Sequence, residues 1–321
     1  MQATTLWMFL WVLAFPALAA PLTARQTAPP GPPARATLAN EPAAATQDFR
    51  FSPTMAEIRQ VATMIPGDRA LRINVLKFAE SRRSKKFSVK GAPDEPSVQA
   101  RTVFQVVYRD GTVMIDSGMD EQIHKFFGRG VAEPYDQAAA AEVARAVRAA
   151  KSIVVTHEHG DHVAGVIRTP FINDIAPKTV LTRAQVRTLE TDPQMPEIKL
   201  TEEMARHYLI IDYEKYYPFA PGFVLIKAPG HTPGSQMIYV ALQSGREYLF
   251  IGDTAWHMDG VRTVTGKAAP WITEDEPALA AQLRWLNGLF TTEKNLSIVV
   301  SHDDEQRQEY VAKGLLGGRL E

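Results

Sequence analysis

Six consecutive residues, His157-Glu158-His159-Gly160-Asp161-His162, constrain what this chain can fold into more than any other stretch. They follow directly on the apolar run Ile153-Val154-Val155, which reads as a buried strand. Gly160 makes the stretch read as a tight loop at the strand end. Imidazoles and a carboxylate packed this closely suit a borderline-soft divalent cation such as zinc. A loop there can turn alternate side chains toward one point, with a helix starting near His162. The alternative is a polar surface loop that happens to be rich in histidine.

The two readings separate on whether the rest of the chain supplies matching ligands in matching contexts. It does. Phe223-Val224-Leu225-Ile226 leads through Ala228-Pro229-Gly230 into His231, Tyr248-Leu249-Phe250-Ile251-Gly252 leads into Asp253, and Ile298-Val299-Val300-Ser301 leads into His302. Each is a short apolar run that reads as a strand ending in one candidate ligand. Ligands at strand ends converge on one edge of a sheet.

His-x-His-x-Asp-His, then Gly-His-Thr-Pro-Gly, Gly-Asp-Thr and Ser-His-Asp, in that order, resemble the metallo-β-lactamase-fold hydrolase superfamily over residues 70–312. The resemblance implies an α/β protein built as an αβ/βα four-layer sandwich. It implies two divalent metal ions, with zinc the first choice, although the ligand type also admits manganese, cobalt or iron. The first would be held by His157, His159 and His231, the second by Asp161, His162 and His302, with Asp253 bridging both. A matching Asp-x-Gly turn in the family is mainly structural, so Asp116 is not assigned as a ligand.

Two metals about 3.5–4 Å apart can share a water and lower its pKa toward neutrality. A substrate oxygen on one metal becomes more electrophilic, and its developing charge is stabilised. In the family Asp161 would stand beside the leaving group and could carry the proton to it. No serine, cysteine or lysine nucleophile is required.

Within the superfamily, Gly230-His231-Thr232-Pro233-Gly234 and His302-Asp303-Asp304-Glu305-Gln306 are most similar to the N-acyl-homoserine lactone lactonases, which open a lactone ring and silence bacterial quorum signals. Those enzymes commonly carry a tyrosine three residues after the bridging aspartate, in contact with the substrate carbonyl. This chain has Trp256, whose indole can donate one hydrogen bond and accept none. Trp256 and His257, on the loop leaving the metal edge, are the candidate substrate-binding residues. Among the rivals, zinc β-lactamases generally lack a bridging aspartate. Glyoxalase-II-type thiolesterases share the full ligand set but act on glutathione conjugates, which suits the cytosol. A phosphodiesterase or sulfatase has no basic pocket motif here. A non-hydrolytic metal-binding or redox protein of the same fold is the reading from another class. Its flavodiiron relatives usually place Glu where this chain has His159.

Residues 1–20 read as a secretory signal peptide. Leu6 to Ala20 is apolar, too short for an ordinary membrane span, and ends in Ala17-Leu18-Ala19-Ala20. Residues 21–47 hold six prolines among alanines and threonines and read as a disordered linker. Residues 48–321 then form the catalytic domain. This organisation predicts a periplasmic or secreted protein, with no membrane span after cleavage. A formal net charge of −1 makes no electrostatic case for nucleic acid or acidic membrane, so the expected partner is a small-molecule substrate. The absence of cysteine excludes disulfides, thiolate ligands and a thiol nucleophile.

The remaining elements are read coarsely. Ala70–Phe78 is a strand, followed by a solvated basic loop, Ser81-Arg82-Arg83-Ser84-Lys85-Lys86. Arg109-Asp110-Gly111 is a hairpin turn between Thr102–Tyr108 and Thr112–Ile115. Asp136 caps a helix running to about Ala150, and Pro277 opens a helix with Leu279, Leu283, Leu286 and Phe290 on one face. His124 and His207 read as packing or surface residues. Tyr216, Tyr217 and Trp271 lie in segments that read as loops.

Overall fold

Segments rich in β-branched and aromatic residues pair into a meander that starts the first sheet. The computed structural model describes residues 51–321, so the signal-peptide and linker readings lie outside the described residues. β1 (Arg72–Ser84), β2 (Pro96–Tyr108) and β3 (Gly111–Ile115) pair antiparallel. Tyr108 stands opposite Gly111, which places the hairpin turn at Arg109-Asp110 as its sequence predicts. β4 (Ser152–Val154), β5 (Thr179–Thr182) and β6 (Leu209–Ile211) then add in parallel. Parallel neighbours need crossovers, and these carry the helices Gln137–Ala149, Gly160–Ile167 and Arg183–Thr191. The Asp136 carboxylate caps the first by accepting from the N–H groups of Ala138 and Ala139.

The second sheet has the order β11-β10-β9-β8-β7, from β7 (Tyr216–Ala220), β8 (Phe223–Lys227), β9 (Gln236–Ala241), β10 (Glu247–Phe250) and β11 (Leu296–Val299). Inward-facing Val75, Phe104, Val106, Ile115 and Val154 of the first sheet meet Leu225, Ile238, Val240, Tyr248 and Phe250 of the second. The rings of Phe104 and Phe250 are 4.8 Å apart between centroids across this interface. Burying each such large side chain contributes about 1.5–3 kcal/mol, so the sheet-to-sheet seam supplies much of the hydrophobic stabilisation. The outer face of the first sheet packs on the crossover helices through Ile153, Val143, Val147 and Val163. That of the second packs on the helices Met55–Val61, Met258–Thr263 and Glu276–Thr292. The result is the αβ/βα four-layer sandwich.

Three local expectations are corrected. The basic run is not a loop, because β1 continues through Ser84, paired with β2 to Pro96. Its charges tolerate this because Arg82 pairs with Glu80 and Arg83 with Glu133. Tyr216 and Tyr217 lie in a strand rather than a loop. In the helix opened by Pro277, Leu279, Leu283 and Leu286 are buried but Phe290 is 44% exposed, with Leu289 buried instead. No helix among the described residues is long and apolar enough to cross a membrane.

Candidate metal centre

The directions of the strands bring the ligands together. β8, β10 and β11 run the same way, since β9 is antiparallel to both β8 and β10 and β10 is parallel to β11. Their C-terminal ends therefore share an edge, and His231, Asp253 and His302 follow those ends. The loop after β4 meets them, with His159 as N-cap of the helix Gly160–Ile167. Gly165 lets that helix lie on the turn after β3, since a Cβ there would be 2.1 Å from the Ser117 carbonyl oxygen. Glu158, buried, accepts from Thr232 Oγ1 (2.8 Å) and the Gly234 N–H (3.0 Å), which pins the first ligand loop to the loop carrying His231.

His157, His159, His231 and Asp253 form one group of donors and Asp161, His162 and His302 a second, with the ligand atoms of each group within 4.8 Å of one another. Asp253 faces both. Its Oδ2 lies 3.3 Å from His231 Nε2 and 3.8 Å from His157 Nε2. Its Oδ1 lies 3.0 Å from His302 Nε2 and 3.3 Å from His162 Nε2. Asp161 Oδ2 is 3.5 Å from His302 Nε2 and 3.6 Å from His162 Nε2. All seven predicted ligand residues are thus gathered in one place.

The donor set fits divalent metal. His157 Nε2 and Asp253 Oδ1 are buried with no hydrogen-bond partner. An unsatisfied buried polar atom costs about 1–3 kcal/mol, and cations between these donors would satisfy both. Burial pushes His157 well below the ordinary imidazole range and His159 down to about 3, which keeps both neutral as ligands must be. Burial opposes charge on His162 as well, but Asp161, Asp116 and Asp253 outweigh it and raise its pKa well above the usual value, so a cation binding there would displace a proton from this ring. Burial alone would raise the Asp253 carboxyl; His302, His162 and His157 hold it well below the carboxylate range.

An outer layer orients these ligands. Asp116, at φ 64° in the left-handed region, puts Oδ2 2.8 Å from His162 Nδ1, and its carboxylate accepts from the Thr156 N–H at 2.7 Å. The His302 Nδ1–H donates to the Ala100 carbonyl at 2.7 Å. His231 Nδ1 pairs with Glu274, and Glu274 with the fully buried Lys267 Nζ at 2.8 Å. Arg101 Nη1 lies 2.5 Å from Asp161 Oδ2, with Nη2 donating to Ser81 Oγ at 3.1 Å.

The sequence reading missed Arg101, Lys267 and Glu274, and left Asp116 with only a structural part. Asp116 had a visible signal, the Asp-x-Gly turn at the end of β3. Arg101 had a weaker one, a charged residue inside an otherwise β-forming segment. Glu274 and Lys267 are distant in sequence from His231 and carry none.

The centre opens into a cavity of about 190 Å³. Its walls include Trp256, Trp271, Phe126 and Phe127, and Arg83, Arg101 and Arg129. A basic pocket, which the sequence did not show, is therefore assembled from three separate segments. Trp256 lines this cavity as expected, but its single donor is committed: Nε1–H donates to Asp253 Oδ2 at 2.7 Å. It cannot also serve a substrate carbonyl in place of the family tyrosine. His257 does not line the cavity. As N-cap of the helix Met258–Thr263, its Nδ1 accepts from the Asp259 N–H at 3.1 Å, and helix capping turns the ring away from the centre. His124 is buried packing against the Tyr135 ring.

Comparison with known proteins gives a consistent picture. The model of the metallo-beta-lactamase superfamily matches residues 98–286, more than half of the chain. No curated protein matches it. Among solved structures, an N-acyl homoserine lactone hydrolase with the product N-hexanoyl-L-homoserine at its catalytic metal centre superposes with TM-score 0.60 at 17% identity, over 75% of this chain and 96% of that one. A mutant of AiiA from B. thuringiensis, with N-decanoyl-L-homoserine at the active site, gives 0.60 and 17% over the same shares, 75% and 96%. The dizinc quorum-quenching lactonase AidC gives 0.54 and 15%, over 74% of this chain and 90% of that one. At such identities these likenesses carry the fold alone. With more than half of its length matched to the superfamily model and the donor residues of both groups in place, the chain belongs to the metallo-beta-lactamase superfamily and is a metal-dependent hydrolase.

Proposed function

We propose that the chain is a dinuclear lactonase, opening a carboxylic ester ring such as that of an N-acyl-homoserine lactone. The observation that carries the dinuclear part is the Asp253 carboxylate, which presents one oxygen to each donor group. Two divalent ions, zinc being the first choice, would be held by His157, His159 and His231 on one side and Asp161, His162 and His302 on the other; bound, they would supply Lewis acidity toward an ester carbonyl and an acidified water. The lactone part is supported by the segments around His231 and His302 and by the lactonase folds to which this chain is similar.

The chain's own residues supply orientation, exclusion of water and a route for the proton. Asp116, the Ala100 carbonyl and Glu274 fix which ring nitrogen of His162, His302 and His231 faces inward, so the ligands meet the reaction preorganised. Trp256 covers Asp253 and contributes apolar surface beside the reacting carbonyl. Water attacks the carbonyl carbon, the ring C–O bond breaks, and the proton lost by the water ends on the leaving alkoxide, giving a hydroxy acid. Asp161 carries that proton in this reading, which its place on the cavity lining supports. Burial alone would raise its pKa, but Arg101 with His162 and His302 lowers it, so the carboxylic acid formed in transit returns the proton readily.

The test is a hydrolysis screen of the metal-loaded protein against lactones, thiolesters, β-lactams and phosphodiesters. The expected result is turnover of lactones about tenfold or more above the other classes. Ready turnover of a thiolester or β-lactam, with no lactone opened above background, would remove the lactonase assignment and leave the metal-dependent hydrolase.

We also propose export. The apolar segment ending at Ala20 and the proline-rich stretch after it support this reading. N-terminal sequencing of the protein from a native host should begin near Ala20 or Pro21. A retained Met1 in the cytoplasmic fraction would reject export and favour the thiolesterase.

A further inference from the structure

Of the three guanidinium groups on the cavity, two are already matched with acids. Arg83 is paired with Glu133, and Arg101 with Asp161. The third, Arg129, makes no ion pair and no side-chain hydrogen bond among the described residues, although it lines the same cavity as His159, Asp161 and Asp253. The guanidinium carbon stands 4.9 Å from the centroid of the Trp271 ring, and that ring packs in turn against Phe87 at 4.9 Å. Stacking of this kind holds an arginine without using its hydrogen-bond donors, all of which stay available to a ligand.

The backbone adds a second, independent observation. Arg129 closes the helix Glu121–Gly128 in the left-handed region, at φ 52° and ψ 43°. That position normally goes to Gly or Asn, and here glycines flank it at 128 and 130 while arginine occupies it. Non-glycine residues held in this conformation concentrate at ligand clamps and active sites. The lining carboxylates offer Arg129 no competition, since Asp161 is bonded to Arg101 and Asp253 to Trp256. Beside Arg129 the wall is apolar, with Phe126 half exposed.

We infer that Arg129 and Trp271 form an anion subsite, and that the substrate is an ester carrying a carboxylate at the end of an apolar arm, remote from the ring that is opened. The arm lies along Phe126 and Trp271, and the carboxylate takes the planar donors of Arg129 in the bidentate manner that guanidinium favours. The identity of the ester rests on the lactonase reading; the anion subsite does not.

The experiment uses the full-length, metal-loaded protein and two γ-lactones with the same alkyl arm, one ending in methyl and one in carboxylate. Wild type should prefer the carboxylate-ended lactone. Arg129→Gln should raise its KM about 10- to 100-fold, the range of a charge-assisted hydrogen bond. The same variant should leave kcat, metal content, Tm and the neutral lactone within about twofold, as a group that binds ground and transition states equally does. Arg129→Lys, which keeps the charge but loses the planar fork, should recover part of the difference. Equal effects on the two lactones, or none on either, overturn the inference. If wild type opens neither lactone, the proposed function fails and the subsite is decided by calorimetry with the two ring-opened hydroxy acids. A loss of affinity confined to the dicarboxylate in Arg129→Gln supports the subsite, and equal affinities in wild type and variant reject it.

Discussion

Replacing Asp253 with alanine is expected to remove both metal retention and turnover, with activity falling at least about a thousandfold, on the scale of losing a group that organises the transition state. The reason is geometric. One carboxylate faces both donor groups, Oδ2 toward His157 and His231 and Oδ1 toward His162 and His302, so no other residue can take over either half. Elemental analysis after gel filtration should read two metals per wild-type chain and fewer than one in the variant. One tightly bound metal at saturation, with full activity, would sink the dinuclear assignment. Trp256→Phe is the graded control. It removes the indole N–H donated to Asp253 Oδ2 together with part of the ring's volume, keeps an aromatic side chain there, and should weaken metal binding about tenfold, within the range for a group supporting a ligand.

The second large effect is expected at Asp116, a residue that contacts no substrate. Its carboxylate is fully buried, lies 2.8 Å from His162 Nδ1, and also accepts from the backbone N–H and hydroxyl of Thr156. Asp116→Asn keeps the shape but substitutes a neutral amide, so His162 loses its charged partner. Metal affinity should fall about 10- to 100-fold, and kcat/KM at limiting metal should fall with it. Excess metal should restore most of the activity, because the ligands themselves remain. Competition with a chromophoric chelator measures the affinity directly. Unchanged affinity with lowered Tm would show that Asp116 only braces the turn after β3. Asp116→Ala should also destabilise the protein by about 1–3 kcal/mol by stranding the Thr156 donors.

The sequence by itself showed the candidate donor residues, because they stand in short-range pattern at strand ends, while the four-layer arrangement and the grouping of the donors came from the resemblance those motifs carry. A strand ending in His157-Glu158-His159-Gly160-Asp161-His162 needs no distant information, and neither do the apolar runs that end at His231, Asp253 and His302. The hairpin at Arg109-Asp110 and the helix capped by Asp136 were legible for the same reason, since turn and cap chemistry act within a few residues. Tertiary structure decided what depends on direction and on partners far along the chain. Whether Trp256 offers its donor to a substrate or spends it on Asp253 is a matter of how the loop after β10 folds back, and whether His257 reaches the cavity turns on a helix cap. Arg83, Arg101 and Arg129 come from three segments with no shared motif, yet line one cavity. The basic run that looked like a solvated loop became strand because Glu80 and Glu133 neutralise it in space. A side chain's type is a property of the sequence; its partner is fixed only when chain segments many residues apart are packed against each other, and it is the partner that sets its charge, its free donors and its role.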